Sequence, residues 1–193
     1  MPRSLQSAGF PRLHSPPHHT IMNLKATLTA LLSLTFLPLA SQAEPLAVGA
    51  PAPDISAVDQ DGKTVNFKDV YAKGPTLVYF YPKADTGGCT KQGCSLRDSW
   101  SDLQAKGVQV LGVSIDPVEA QKKFSDKNKF PFRLIADAEG KVAAAFQVEM
   151  RGKVTARQSF LIKDGKVAWT MLKASTETHA KDVLTAFDGL PKK

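Results

Sequence analysis

Residues 75–94 read PTLVYFYPKADTGGCTKQGC, and two features of this stretch decide the fold. The first eight residues form an unbroken apolar and aromatic run, as expected of a strand buried on both faces of a sheet. A loop with Thr86 and the pair Gly87-Gly88 follows, and then Cys89 and Cys94, the two cysteines of the chain. Beyond them Leu96, Trp100, Leu103 and Ala105 recur at helical spacing, which predicts a helix between Thr90 and Lys106. A buried strand that feeds a helix through a short loop is the first half of a parallel crossover.

Working outward, the same alternation repeats. VQVLGVSI reads as a second buried strand, VEAQKKFSDKN after Pro117 as a polar helix, FRLIAD as a strand and KVAAAFQV as a short helix. Upstream, residues 44–54 form an extended, proline-bearing lead-in. ISAVDQDGKTVNF then turns at Asp61-Gly62, a hairpin signal. Downstream, RQSFLIKDGKVAWTMLK is a second hairpin around Asp164-Gly165, and TETHAKDVLTAFDGL a closing amphipathic helix. The expected architecture is α/β: a central mixed sheet with helices on both faces and an N-terminal β-hairpin.

The N-terminus reads differently. Met22 to Ala43, MNLKATLTALLSLTFLPLASQA, has a lysine-bearing start, an apolar stretch from Ala26 to Ala40 and small residues at a cleavage-type site. That is the layout of a secretory signal peptide. The apolar run is shorter than the roughly 20 residues a membrane span requires. Export, with a periplasmic destination and no lasting membrane attachment, is therefore expected. Residues 1–21 show no periodicity and read as an upstream extension or a misassigned start, with translation expected from Met22. Cleavage after Ala43 leaves 150 residues, 44–193, for one domain. The formal charge of +7 shrinks accordingly. Dropping Arg3, Arg12 and Lys25 leaves 22 basic residues against 18 acidic ones, spread along the chain. No basic stripe appears, so nucleic acid is not an expected partner.

Three readings of the cysteine pair compete. Cys89 in the first turn of a helix faces unsatisfied N–H groups and the positive end of the helix dipole, an arrangement that favours a nucleophilic thiolate. If both cysteines are helical, about 8.6 Å separates their Cα atoms, more than the roughly 7 Å a disulfide spans. Either the segment is not helical, or it unwinds when the bond forms. A static staple is common in exported proteins, although so short a loop contributes only about 2 kcal/mol. A metal clip needs further ligands. The one histidine beyond residue 43 is His179, which reads as a surface residue near the C-terminus. On the residues alone, staple and reactive pair stand level.

The stretch YFYPKADTGGCTKQGCSLRD resembles the active-site segment of peroxiredoxins, in particular the bacterioferritin-comigratory or Q-type branch. The likeness continues through APAPDISAVDQDGKTVNF, VQVLGVSIDPVEAQKKFSDKNKFPFRLIAD and RQSFLIKDGKVAW. The resemblance implies a thioredoxin-like fold and a thiol-dependent peroxidase without metal or other cofactor. It implies that Cys89 is the peroxidatic thiolate, oxidised to a sulfenic acid, and Cys94 the resolving cysteine. Thr86 would hydrogen-bond the peroxide, Arg157 would stabilise thiolate and peroxide, and Pro82 would shield the pocket. The substrate would be hydrogen peroxide or an organic hydroperoxide and the reductant a thioredoxin-like dithiol protein. Members of this branch resemble monomers more often than rings. The branch usually carries Pro-Gly before the cysteine, where this chain has Gly87-Gly88. Two rivals remain: an exported thiol–disulfide exchange protein, which would want a Cys-x-x-Cys pair, and a metal-handling or structural module on the same fold. Phe80 and Trp100 read as core, Arg97 and Asp98 as solvated or structurally paired, and Lys83 as a loop lysine.

Overall fold

The computed structural model describes residues 44–191. The expected signal peptide 22–43 and the stretch 1–21 lie outside the described residues.

The apolar run becomes β3 (Thr76–Phe80), with all five residues buried. Its side chains serve two cores in turn. Leu77, Tyr79 and the following Tyr81 enter one cluster, while Val78 and Phe80 enter the other. A period of two across a sheet covered on both sides produces this division. β3 pairs in parallel with β4 (Gln109–Ser114) and antiparallel with β8 (Ser159–Lys163).

β1 (Ser56–Asp59) and β2 (Thr64–Asn66) form the first hairpin, and β8 with β9 (Lys166–Met171) the second. In the first, the Asp59 carboxylate accepts the N–H groups of Asp61 and Lys63, both at 3.0 Å. In the second, Asp164 and Gly165 both adopt positive φ, 55° and 71°, the twist a two-residue hairpin loop requires. β5 (Arg133–Ala136) completes the seven-stranded sheet, in the order β2-β1-β5-β4-β3-β8-β9.

α2 (Gly87–Asp98), α3 (Trp100–Ala105), α4 (Val118–Asn128) and α6 (His179–Asp188) pack their apolar residues on the face that holds Tyr79. The opposite face is covered by α1 (Phe67–Tyr71) and α5 (Lys141–Ala145). The mixed sheet, its parallel crossovers and both hairpins are as expected.

Three features differ. The helix expected from Thr90 begins three residues earlier, at Gly87, and divides at Ser99 into α2 and α3. The short α1 was not anticipated. Asn66 starts it by accepting the Lys68 N–H at 2.9 Å, a side-chain cap. A small hairpin of β6 (Met150–Arg151) and β7 (Val154–Thr155) also interrupts the approach to β8.

Candidate active site

The chain leaves β3 beside the end of β4, the edge of a parallel sheet where crevices form. Bonds to neighbouring elements hold the loop that follows. The Thr155 hydroxyl donates to the Tyr81 carbonyl at 3.0 Å. The Ala84 N–H donates to Asp116 Oδ2 at 2.7 Å, and the same oxygen accepts the Ser114 hydroxyl at 2.7 Å. Lys127 pairs with Asp85, which sits at φ 58°, a left-handed conformation uncommon outside glycine. Asp116 had not been singled out among candidate residues, yet it fixes the loop to β4.

Thr86 is the N-cap of α2, so Cys89 is the third helical residue, inside the first turn, because the helix starts before Thr90. The first-turn N–H groups have no intrahelical partner and carry the positive end of the dipole. Cys89 is only 2% exposed. Arg157, from the segment between β7 and β8, brings Nη2 to 3.5 Å from the Cys89 sulfur. Gly88 makes room for it: a Cβ there would lie 3.3 Å from that same nitrogen. The structure thus brings Cys89 and Arg157 together across 68 residues of sequence.

Cys94 is half-buried on the same helix, and both thiols are free. With α2 continuous from Gly87 to Asp98, the cysteines stand too far apart to bond unless the turn between them opens. Gly93, inside that turn, presses against Phe130, where a Cβ would come within 2.5 Å of the ring.

Thr86 lies exposed, and its hydroxyl donates to the Lys83 carbonyl at 3.0 Å rather than to the sulfur. Pro82 is half-buried at the head of the loop. Lys83 is exposed. Arg97 pairs with Asp98 and donates to the Asn128 carbonyl at 2.8 Å, a structural role. Phe80 is core, and Trp100 packs on Phe132 with ring centroids 5.9 Å apart.

His179 corrects the sequence reading. It is fully buried, not a surface residue. It begins α6 beside Ala180 and one turn before Val183, the buried residues of the helix, so it continues the apolar stripe to the helix's first residue. That stripe was the signal that could have found it. Its Nδ1 lies 3.2 Å from Gln92 Nε2 and its Nε2 2.9 Å from Ser159 Oγ. Gln92, also fully buried, accepts a bond from Arg157 Nη1 through its own Oε1. Neither Gln92 nor Ser159 had been singled out. With both ring nitrogens engaged this way, His179 does not face the sulfurs as a metal ligand would.

Burial first, and then the Arg157 charge, push the His179 pKa down to about 3. The sign follows from proton uptake. Below about pH 6.5 the unfolded chain binds a proton that the folded chain refuses. The neutral imidazole's contribution is complete above that pH and is lost as pH falls towards 3, by about 1.4 kcal/mol per pH unit. Asp137 works in the other direction, because burial raises its pKa and the fold binds its proton more readily. Urea unfolding at neutral pH and near pH 5 is therefore expected to show a loss of about 2 kcal/mol in the native chain. His179→Asn, without the imidazole, should show a much smaller loss.

The comparisons agree with this geometry. Residues 48–170 match the AhpC/TSA family. Peroxiredoxin Bcp of Escherichia coli is 41% identical over 148 residues, covering 72% of this chain and 94% of that protein. Peroxiredoxin bcp1 of Schizosaccharomyces pombe is 41% identical over 107 residues, 55% of this chain and 55% of the yeast protein. Among solved structures, peroxidoxin BcpB from Mycobacterium tuberculosis superposes with a TM-score of 0.71 at 32% identity, covering 76% of this chain and 99% of that one. A peroxiredoxin Q from Xanthomonas campestris gives 0.68 at 26% identity, covering 73% and 96%. A family match over most of the folded part, near-complete coverage of bacterial Bcp and a thioredoxin-like sheet bearing a cysteine at the start of its first crossover helix agree: this chain belongs to the AhpC/TSA family, among the Bcp and Q-type peroxiredoxins.

Proposed function

We propose that this thiol-dependent peroxidase runs on Cys89 as the attacking thiolate and Cys94 as the resolving thiol. The observation that carries the reading is the buried Cys89 sulfur in the first turn of α2 with Arg157 Nη2 at 3.5 Å. The Cys89 thiolate attacks the terminal oxygen of a hydroperoxide. The O–O bond breaks, the remaining oxygen takes a proton and leaves as water or an alcohol, and Cys89 becomes a sulfenic acid. Arg157 supplies fixed positive charge where negative charge moves from sulfur to the leaving oxygen. Thr86, its hydroxyl turned from the Lys83 carbonyl towards the pocket, would hold the peroxide, and Pro82 would limit water.

Cys94 then attacks the Cys89 sulfur. A disulfide forms and the sulfenic oxygen leaves as water, with α2 opened between the two residues. An external thioredoxin-like dithiol protein returns two electrons and two protons by exchange. Both cysteines belong to one helix, so the cycle closes within a single copy of the chain. The leader-like segment 22–43 supports export, which would place the donor in the same exported compartment.

The test is one equivalent of hydroperoxide added to the reduced protein, followed by intact mass and thiol alkylation. The expected product has lost two hydrogens and both alkylatable thiols, and dithiothreitol restores them. A protein that keeps both thiols and leaves the peroxide unconsumed would overturn the proposal.

A further inference from the structure

A chain of side-chain bonds runs from α6 to the Cys89 sulfur. Ser159 Oγ meets His179 Nε2 at 2.9 Å, His179 Nδ1 meets Gln92 Nε2 at 3.2 Å, Gln92 Oε1 accepts from Arg157 Nη1, and Arg157 Nη2 reaches Cys89 Sγ at 3.5 Å. The direction of each bond follows from what each group can donate. A guanidinium only donates, so Gln92 must present its oxygen to Arg157 and its NH2 to the imidazole. His179 Nδ1 must then be the bare, accepting nitrogen. The proton sits on Nε2 and is donated to the Ser159 hydroxyl.

The depressed pKa of His179 keeps the ring in this neutral form, with Nδ1 free to accept. The ring has little room to move. It stands edge-on to Tyr79 with centroids 5.6 Å apart. Two further bonds seat the start of α6 against α2: the Ala180 N–H donates to Ser95 Oγ at 3.2 Å, and Lys91 pairs with Glu177 at 3.0 Å.

We propose that His179 is a positioning residue for the peroxidatic step: its Nδ1 orients the Gln92 amide, and that amide holds the Arg157 guanidinium against the Cys89 sulfur. The inference rests on the assignment of Cys89 as the attacking thiol. Without the imidazole, Gln92 can turn its amide over and present NH2 to a guanidinium that cannot accept. Arg157 then loses the acceptor that fixes its fork, and one nitrogen no longer faces the sulfur. A displacement of about 1 Å at a reacting centre is enough to cost rate heavily.

The experiment measures the second-order rate of Cys89 oxidation by hydrogen peroxide in purified protein at neutral pH. Three substitutions are compared. His179→Asn places an acceptor oxygen near the Nδ1 position and so keeps the bond to Gln92. His179→Gln reaches the Nε2 position and keeps only Ser159. His179→Leu keeps neither. The expected result is a loss of roughly tenfold to a hundredfold in Leu and Gln, with Asn restoring most of the rate. Reduction of the oxidised protein by dithiothreitol should be unchanged in all three. In a double-mutant cycle, His179→Leu added to Gln92→Leu should slow oxidation no further.

A native rate in Leu would show that the imidazole only fills space, and equal losses in Asn and Gln or additive losses in the cycle would show that it does not act through Gln92; each overturns the proposal. If Leu does not fold, the Asn and Gln pair alone decides. Failure of the underlying assignment looks different: Cys89→Ser would consume peroxide as fast as the native chain.

Discussion

Replacing Cys89 by serine is expected to abolish hydroperoxide consumption, while Cys94→Ser still reacts once. A serine hydroxyl beside Arg157 would remain protonated and weakly nucleophilic, with no base among the described residues bonded to it. Cys94→Ser keeps the attacking sulfur, the Arg157 contact and the helix start. Given excess peroxide and no reductant it should take up one equivalent quickly, gain one oxygen in mass and then over-oxidise slowly, since no second thiol arrives to close a disulfide. Supplied with a protein dithiol donor it should stall. Intact mass and peroxide titration read both variants. Full turnover in Cys89→Ser would dismiss the assignment, and a Cys94→Ser variant that cycles with a protein dithiol as the native chain does would remove Cys94 from the resolving role.

Arg157→Met is expected to lower the second-order rate of Cys89 oxidation by about 10²–10³-fold, the range for loss of one preorganised donor at a site of developing charge. The guanidinium serves two groups at once, the sulfur at 3.5 Å and the Gln92 oxygen. Arg157→Lys should therefore recover only part of the rate, because a single flexible ammonium cannot hold both acceptors in a fixed fork. Stopped-flow mixing with hydrogen peroxide measures this directly. A rate for Arg157→Met within a few-fold of native would show that the guanidinium is a structural bystander.

Much of the fold was legible because it rests on local patterns. β3 announces itself by an apolar run, and both hairpins by Asp-Gly between alternating segments. That a helix follows the strand near Cys89 was legible, but not that it starts before the cysteine, because Gly87-Gly88 carries no helix signal. What was hidden depends on meetings far apart in the chain. On spacing alone Arg157 is a charge at a strand edge, and only the family likeness marked it out. Gln92, Ser159 and His179 are polar residues, which ordinarily lie at the surface. They are buried here because each satisfies another, and nothing within one helical turn reveals that Gln92 meets a ring 87 residues away. α1 escaped notice because five residues carry too little periodicity. The break at Ser99 leaves no trace in the spacing of Leu96, Trp100 and Leu103.

The bonds that hold the loop before α2 go to Thr155, Asp116 and Lys127, none of which belongs to α2. At the far end Arg97 is tied to the Asn128 carbonyl at 2.8 Å and Ser95 to the Ala180 N–H. Opening the turn between the cysteines would therefore leave the loop before the helix and the helix's C-terminal end seated. When the donor frees the thiols, the helix does not have to be started afresh. Starting one from coil carries a nucleation factor on the order of 10⁻³. Growing the seated C-terminal turn back towards Thr86 is elongation, at about nanoseconds per residue. Against an enzyme turnover time of roughly a tenth of a second, such a recoil would not set the pace of the proposed cycle.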